Sequence, residues 1–247
     1  MFDHRHLAAA LESVSSVPAE PITAGIDVDG LAHHDLGIYR YADPRRRIFD
    51  AMIETVARRG YDLTTIERVA SVAGVPTAVF DEHFEDKREC FLRTLDELIA
   101  RLESTVVARV NEQLPWPERI EVGLRALLTE LAAHPDSSRV AMVECLSAGE
   151  AAIARLHRPT ARLAGILDEG RAHASEHEAD ADWVEYLPPQ ISTAVVGGIV
   201  SIVHRRVLED RTDELGAMLG DLLYFALLPY LGHDRALSAA GLEPAGA

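Results

Sequence analysis

An all-α fold is what this sequence predicts, on three observations. Apolar residues recur at helical spacing through most of the chain. Prolines, glycines and capping residues punctuate that pattern where helices would start and stop. No segment alternates with period two over a useful length. The 247 residues, 48% of them hydrophobic, are enough for one large domain or a small one beside a medium one.

Residues 1–43 stand apart. Ser15-Ser16, Pro18, Pro21, Gly25, Gly30 and Gly37 break any sustained period, so only a short helix from His6 to Val14 is expected there. Residues 1–41 read as a poorly structured arm. Two arginines, Arg5 and Arg40, face seven acids in residues 1–43, and a net charge of −5 suits a minor groove badly.

At Pro44 the character changes. Asp43 is placed as an N-cap with Pro44 in the first turn, and Ile48, Met52, Val56 and Ala57 give a helix that stops at Gly60. Thr64 or Thr65 caps a second, short helix from Ile66 to Ala73, which runs into Gly74. Pro76 opens a third that ends in His83-Phe84, and a fourth opens near Asp86 and continues to about Val110. Further helices are expected over Pro117–Ala133, Ser137–Ser147 and Glu150–His173, the last kinked at Pro159, with a loop over Ser175–Asp180.

The final two helices, around 190–208 and 213–231, are apolar around most of their circumference. A helix on one core needs only one apolar stripe, so these call for a second partner: the same pair from another subunit, in a four-helix bundle. Gly197-Gly198 would let helices approach closely. The apolar runs themselves, Ile191–Val203 and Leu222–Leu231, are shorter than a bilayer span. No secretory signal is visible in the first twenty residues, so a cytoplasmic protein without a membrane role is expected. Cys90 and Cys145 lie far apart with no CxxC, which also suits a reducing compartment.

The short helix, the glycine and the short second helix between Ile66 and Phe84 outline a helix-turn-helix, whose second helix reads DNA in the major groove. Charge is permissive. The chain carries −16 overall, but residues 44–100 hold nine basic against eleven acidic groups, the mildest balance per residue. Positive groups gather in Arg45-Arg46-Arg47, Arg58-Arg59 and Lys87-Arg88, and Lys87 is the only lysine among 24 basic residues.

Over Arg46–Leu95 the chain resembles the TetR family of bacterial transcriptional regulators. The matches are Ile48-Phe49-Asp50-Ala51, Gly60-Tyr61, Thr64-Thr65-Ile66, Val69-Ala70, Ala73-Gly74-Val75, His83-Phe84, Lys87 and Phe91-Leu92. Gly197-Gly198 and Leu227–Gly232 look like an actinobacterial-type branch. The resemblance implies a DNA-binding domain over 42–102 with its helix-turn-helix at 65–84, a ligand-binding and dimerisation domain over 103–235, and a tail over 236–247. It further implies a homodimer on a double-stranded palindromic operator and a small-molecule effector held among the middle helices. The expected DNA contacts are Thr77, Ala78 and His83 on the third helix, with Arg46, Thr64, Thr65 and Lys87 for phosphates. One departure stands out: Asp81 replaces an aromatic residue common in the family, and Gly74–Phe84 holds no arginine or lysine. Asp81 and Glu82 either accept from a cytosine amino group or turn toward Arg58, Arg59 or Lys87.

The remaining constellations are weak. His173 and His177 have metal-ligand spacing but no third ligand, so no metal or cofactor is expected. No GxSxG, P-loop or GxGxxG is present, so no enzyme is expected. Trp116, Met142, His157, Trp183 and Tyr186 are available to an effector pocket without identifying one. The function expected is a ligand-responsive repressor; the second reading is a TetR-like dimer that has lost operator recognition and binds a ligand or protein instead.

Overall fold

The computed structural model describes residues 43–177 and 181–242. The arm expected over 1–41 lies outside that range, as does the end of the tail. Every regular element among the described residues is helical.

Four helices open the described chain: α1 (Pro44–Arg59), α2 (Ile66–Ala73), α3 (Thr77–His83) and α4 (Lys87–Val107). Their starts follow from local chemistry. Asp43 accepts from the Arg45 N–H, Thr65 from Arg68 and Asp86 from Glu89, so three of the four begin on a side-chain cap. Ile48, Met52 and Val56 of α1, Val69 of α2, Phe80 of α3 and Phe91 and Leu95 of α4 meet in one core with Phe49 and Phe84. These residues form the head.

The body begins with α5 (Trp116–Ala133), followed by α6 (Pro135–Arg139), a π-helical turn (Val140–Glu144) and the short helical segment Cys145–Ser147. Next come α7 (Glu150–Asp168), α8 (Gly170–His177), α9 (Ile191–Leu208) and α10 (Leu219–Ala239), with 3₁₀ turns at Ala181–Tyr186 and Thr212–Met218. Leu124 and Leu128 of α5, Leu167 of α7, Val195, Ile199 and Val203 of α9 and Leu222, Leu223 and Leu227 of α10 build a second core. Helix α4 serves both cores: Leu95 and Leu98 belong to the head, and Leu102 packs on the body.

Several expectations need correction. Helix α7 passes through Pro159 and ends at Asp168, so the single kinked helix over Glu150–His173 is two helices parted at Glu169. Residues 175–177, expected in a loop, close α8. Helix α10 continues to Ala239 past residue 235 and buries Ala236, after a sharp bend at Gly232 (φ 73, ψ 177). That bend turns the following amide away, and the carbonyl of Pro229 accepts instead from Trp183 Nε1 at 3.2 Å.

Helix α9 and the stretch Thr212–Ala239 are long and apolar enough to cross a membrane by length and composition, which the apolar runs alone did not suggest. In the fold they wall the body core. Gly198 serves an approach within the chain, since a Cβ there would lie 2.9 Å from the Phe225 ring, whereas Gly197 opens outward. Ile202 and Phe225 remain 40% and 39% exposed, and Leu208 49%.

Candidate nucleic-acid interface

The helix-turn-helix is fixed by its turn. Gly74 closes α2 in the left-handed region (φ 64, ψ 38), and the amide of Val75 reaches back to Ala70 at 3.0 Å. The carbonyl of Gly74 accepts from an Arg47 guanidinium nitrogen of α1 at 2.9 Å, so α1 pins the turn from outside. Sequence spacing gives no sign of that bond, because it joins residues 27 apart.

Helix α3 is held on one side by aromatic packing. Phe80 and Phe84, one turn apart, are buried, with ring centroids 5.3 Å apart, and Phe84 meets Phe49 of α1 at 5.5 Å. Both phenylalanines are core, as their spacing implies. The helical period then puts Ala78 and Glu82 on the opposite, outward side, with Asp81 and His83 at its margins, while Thr77 shares the Phe80 side and opens to solvent at the start of the helix. Thr77, Ala78, Asp81, Glu82 and His83 are all exposed. No ion pair ties Asp81 or Glu82 to Arg58, Arg59 or Lys87: Arg58 pairs with Glu54 of its own helix at 3.0 Å.

The expected phosphate contacts separate into two groups. Thr64 is a correction: its side chain is 1% exposed and its hydroxyl donates to the Gly60 carbonyl at 2.8 Å, so it is spent inside the fold. Thr65 is exposed at the start of α2, where its oxygen caps Arg68 and its hydroxyl donates to the Glu67 carboxylate. Arg46 is half exposed and pairs with Asp50 at 3.3 Å. Lys87 donates to the Tyr61 carbonyl at 2.9 Å and sits 4.3 Å over the Tyr61 ring. Its ammonium has three donors, so it can fasten the α1–α2 turn and still meet a phosphate. Burial, reinforced by Asp86, pushes the Tyr61 phenol up, which keeps this ring neutral beneath the cation.

One acidic contact with the head was not foreseen. Glu144, in the π-helical turn of the body, is buried and accepts the Tyr61 amide at 3.0 Å. The five residues named for an effector pocket differ in setting. Trp116 is buried with its Nε1 on the Ile166 carbonyl, and Met142 packs on the same core, while His157 and Tyr186 are exposed. Among the described residues no cluster of three or more metal-ligating side chains occurs.

Residues 48–94 match the family model described as bacterial regulatory proteins, tetR family. No curated protein matches the sequence as a relative. Among solved structures, the fatty acid degradation regulator FadR from Bacillus halodurans is 18% identical, with a TM-score of 0.65 over 78% of this chain and 97% of its own. FadR from Bacillus subtilis, in complex with stearoyl-CoA, is 22% identical, with a TM-score of 0.55 over 75% and 97%. AibR, in complex with isovaleryl coenzyme A and operator DNA, is 16% identical, with a TM-score of 0.56 over 73% and 98%. At these identities the likeness is one of fold.

Proposed function

We propose that this chain, which carries the DNA-binding domain of the tetR family of bacterial regulatory proteins in the fold of TetR regulators, is a ligand-responsive repressor acting as a homodimer on a palindromic operator. The observation that carries the reading is α3 itself. Phe80 and Phe84 clamp one side into the head, so the other side stands clear with Ala78 and Glu82, and Thr77 is exposed at the start of the helix. Residues 42–102 act as the reading unit and 103–235 as the sensing and pairing unit. Thr65, Arg46 and Lys87 are the phosphate contacts in this scheme.

Exposure of Ile202, Leu208 and Phe225 along α9 and α10 supports pairing through these helices, because a second copy would cover that apolar surface. Ile202→Glu is expected to convert dimer to monomer in sedimentation. An acyl-CoA thioester is the effector class to try first, since two of the structural neighbours hold one. It would act by binding one head separation better than another.

Selection from a random DNA pool tests the reading. A recovered palindrome, bound with an affinity that falls steeply as salt rises, supports it. Weak binding that is equal on all sequences overturns it. The second reading, a dimer that has lost operator recognition, draws on Asp81 and Glu82, which put exposed carboxylates where phosphates approach. Gain of DNA binding only in Asp81→Tyr would favour it.

A further inference from the structure

One continuous chain of polar contacts runs from the end of α9 to the head. Glu144 uses both carboxylate oxygens: Oε2 accepts the Tyr61 amide at 3.0 Å, and Oε1 faces Arg139 Nε at 3.7 Å. Arg139 then donates from a terminal guanidinium nitrogen to Asp210 Oδ1 at 3.0 Å. Tyr61 continues the line on the other side, because its carbonyl accepts from Lys87.

Two features of the backbone make the arrangement specific. Asp210 is the only non-glycine residue with a positive φ (56°) among the described residues, and it sits just past the end of α9, where glycine is the usual choice. A glycine would cap the helix with less strain but would offer Arg139 no carboxylate. The second feature is the π-helical turn that carries Glu144. The Cys145 amide reaches the carbonyl of Val140, five residues back. Val140 and Cys145 are buried in the head core, whereas Met142 and Val143 between them pack on the body core. A single turn thus serves two cores, and its widened register is what aims Glu144 at Tyr61. Reverting the turn to α-helical register would rotate Glu144 by about 100° and release the Tyr61 amide.

We propose that Asp210, Arg139 and Glu144 form a strap that couples the α9–α10 junction to the α1–α2 turn of the head, with the π-helical turn as its switch. The contacts themselves do not depend on what the head binds for their identification. That the strap reports effector state to DNA rests on the regulator reading. In this scheme Glu144 is a positioning residue: it touches no DNA and acts through the loop that anchors Lys87.

Hydrogen exchange at the Tyr61 amide, followed in the full-length protein without DNA, tests the strap separately from that reading. Asp210→Gly is expected to leave the melting temperature unchanged or raised, because glycine accepts the positive φ, and to speed Tyr61 exchange by about twofold. Arg139→Gln should act in the same direction. Glu144→Gln, which removes the charge beneath the amide, should speed exchange by about tenfold, and adding Asp210→Gly to it should bring no further rise. Unchanged Tyr61 exchange in a normally melting Asp210→Gly variant overturns the proposal, as do additive effects in the double variant. Should Glu144→Gln fail to fold, Asp210→Gly and Arg139→Gln decide the matter alone.

Discussion

The head and the body start their helices differently. In the head, Asp43, Thr65 and Asp86 each satisfy an amide at the first turn of α1, α2 and α4. In the body, α5, α6, α7, α9 and α10 all begin without a side-chain cap. The body also holds the π-helical turn, both 3₁₀ turns and the bend at Gly232. A capped helix end is set by the residues beside it, whereas an uncapped one is set by whatever packs on it. The difference teaches that the head is specified locally and resists change, while the body's ends answer to their neighbours. That division suits the proposed regulator, in which a rigid reader is attached to a sensor that can be remodelled.

Core truncation should produce the largest contrast. Phe80→Ala opens a cavity in the small head core and is expected to lose about 3–5 kcal/mol in urea unfolding, whereas Leu227→Ala in the more adaptable body should lose about 2–3 kcal/mol. Equal losses would remove the claim that the body relaxes around a cavity. Caps come next. Asp86→Ala and Thr65→Ala should each lower stability by about 1 kcal/mol, while Gln190→Ala at the uncapped start of α9 should change it by less than about 0.5 kcal/mol.

The smallest effect concerns the thiols. Burial pushes Cys90 up to about 12 and Cys145 up to about 11, so both stay protonated at neutral pH and a thiol reagent should label neither quickly in the native protein. Under partial denaturation Cys145, beside the π-helical turn, should label before Cys90. The reverse order would show that α4 opens before the π-helical turn, although both thiols lie in the head core.

Legibility in the sequence follows the same border. Asp43-Pro44, Thr65 and Asp86 announce helix starts in a dozen characters, and α1 to α4 lie where periodicity puts them. In the body, Pro159 lies inside α7, which ends at Asp168 short of the expected His173, and the polar run after His173 stayed helical to residue 177. Of the residues expected at the interface, Thr77, Ala78 and His83 are exposed on α3, and for Ala78 the positions of Phe80 and Phe84 on the helix require it. Thr64 misled because a hydroxyl beside a cap looks the same in sequence whether it faces solvent or folds back on Gly60.

By itself the sequence determined an all-helical chain, the helix-turn-helix and the inward side of its second helix, because capping, glycine turns and apolar period act over a few residues. Only the tertiary structure decided that Arg47 holds the Gly74 carbonyl, that Glu144 holds the Tyr61 amide, and that Gly198 serves a neighbour in the same chain while Gly197 faces outward. Those choices depend on which distant backbone comes within about 3 Å of a polar atom. That distance is fixed by packing and leaves no periodic mark along the chain.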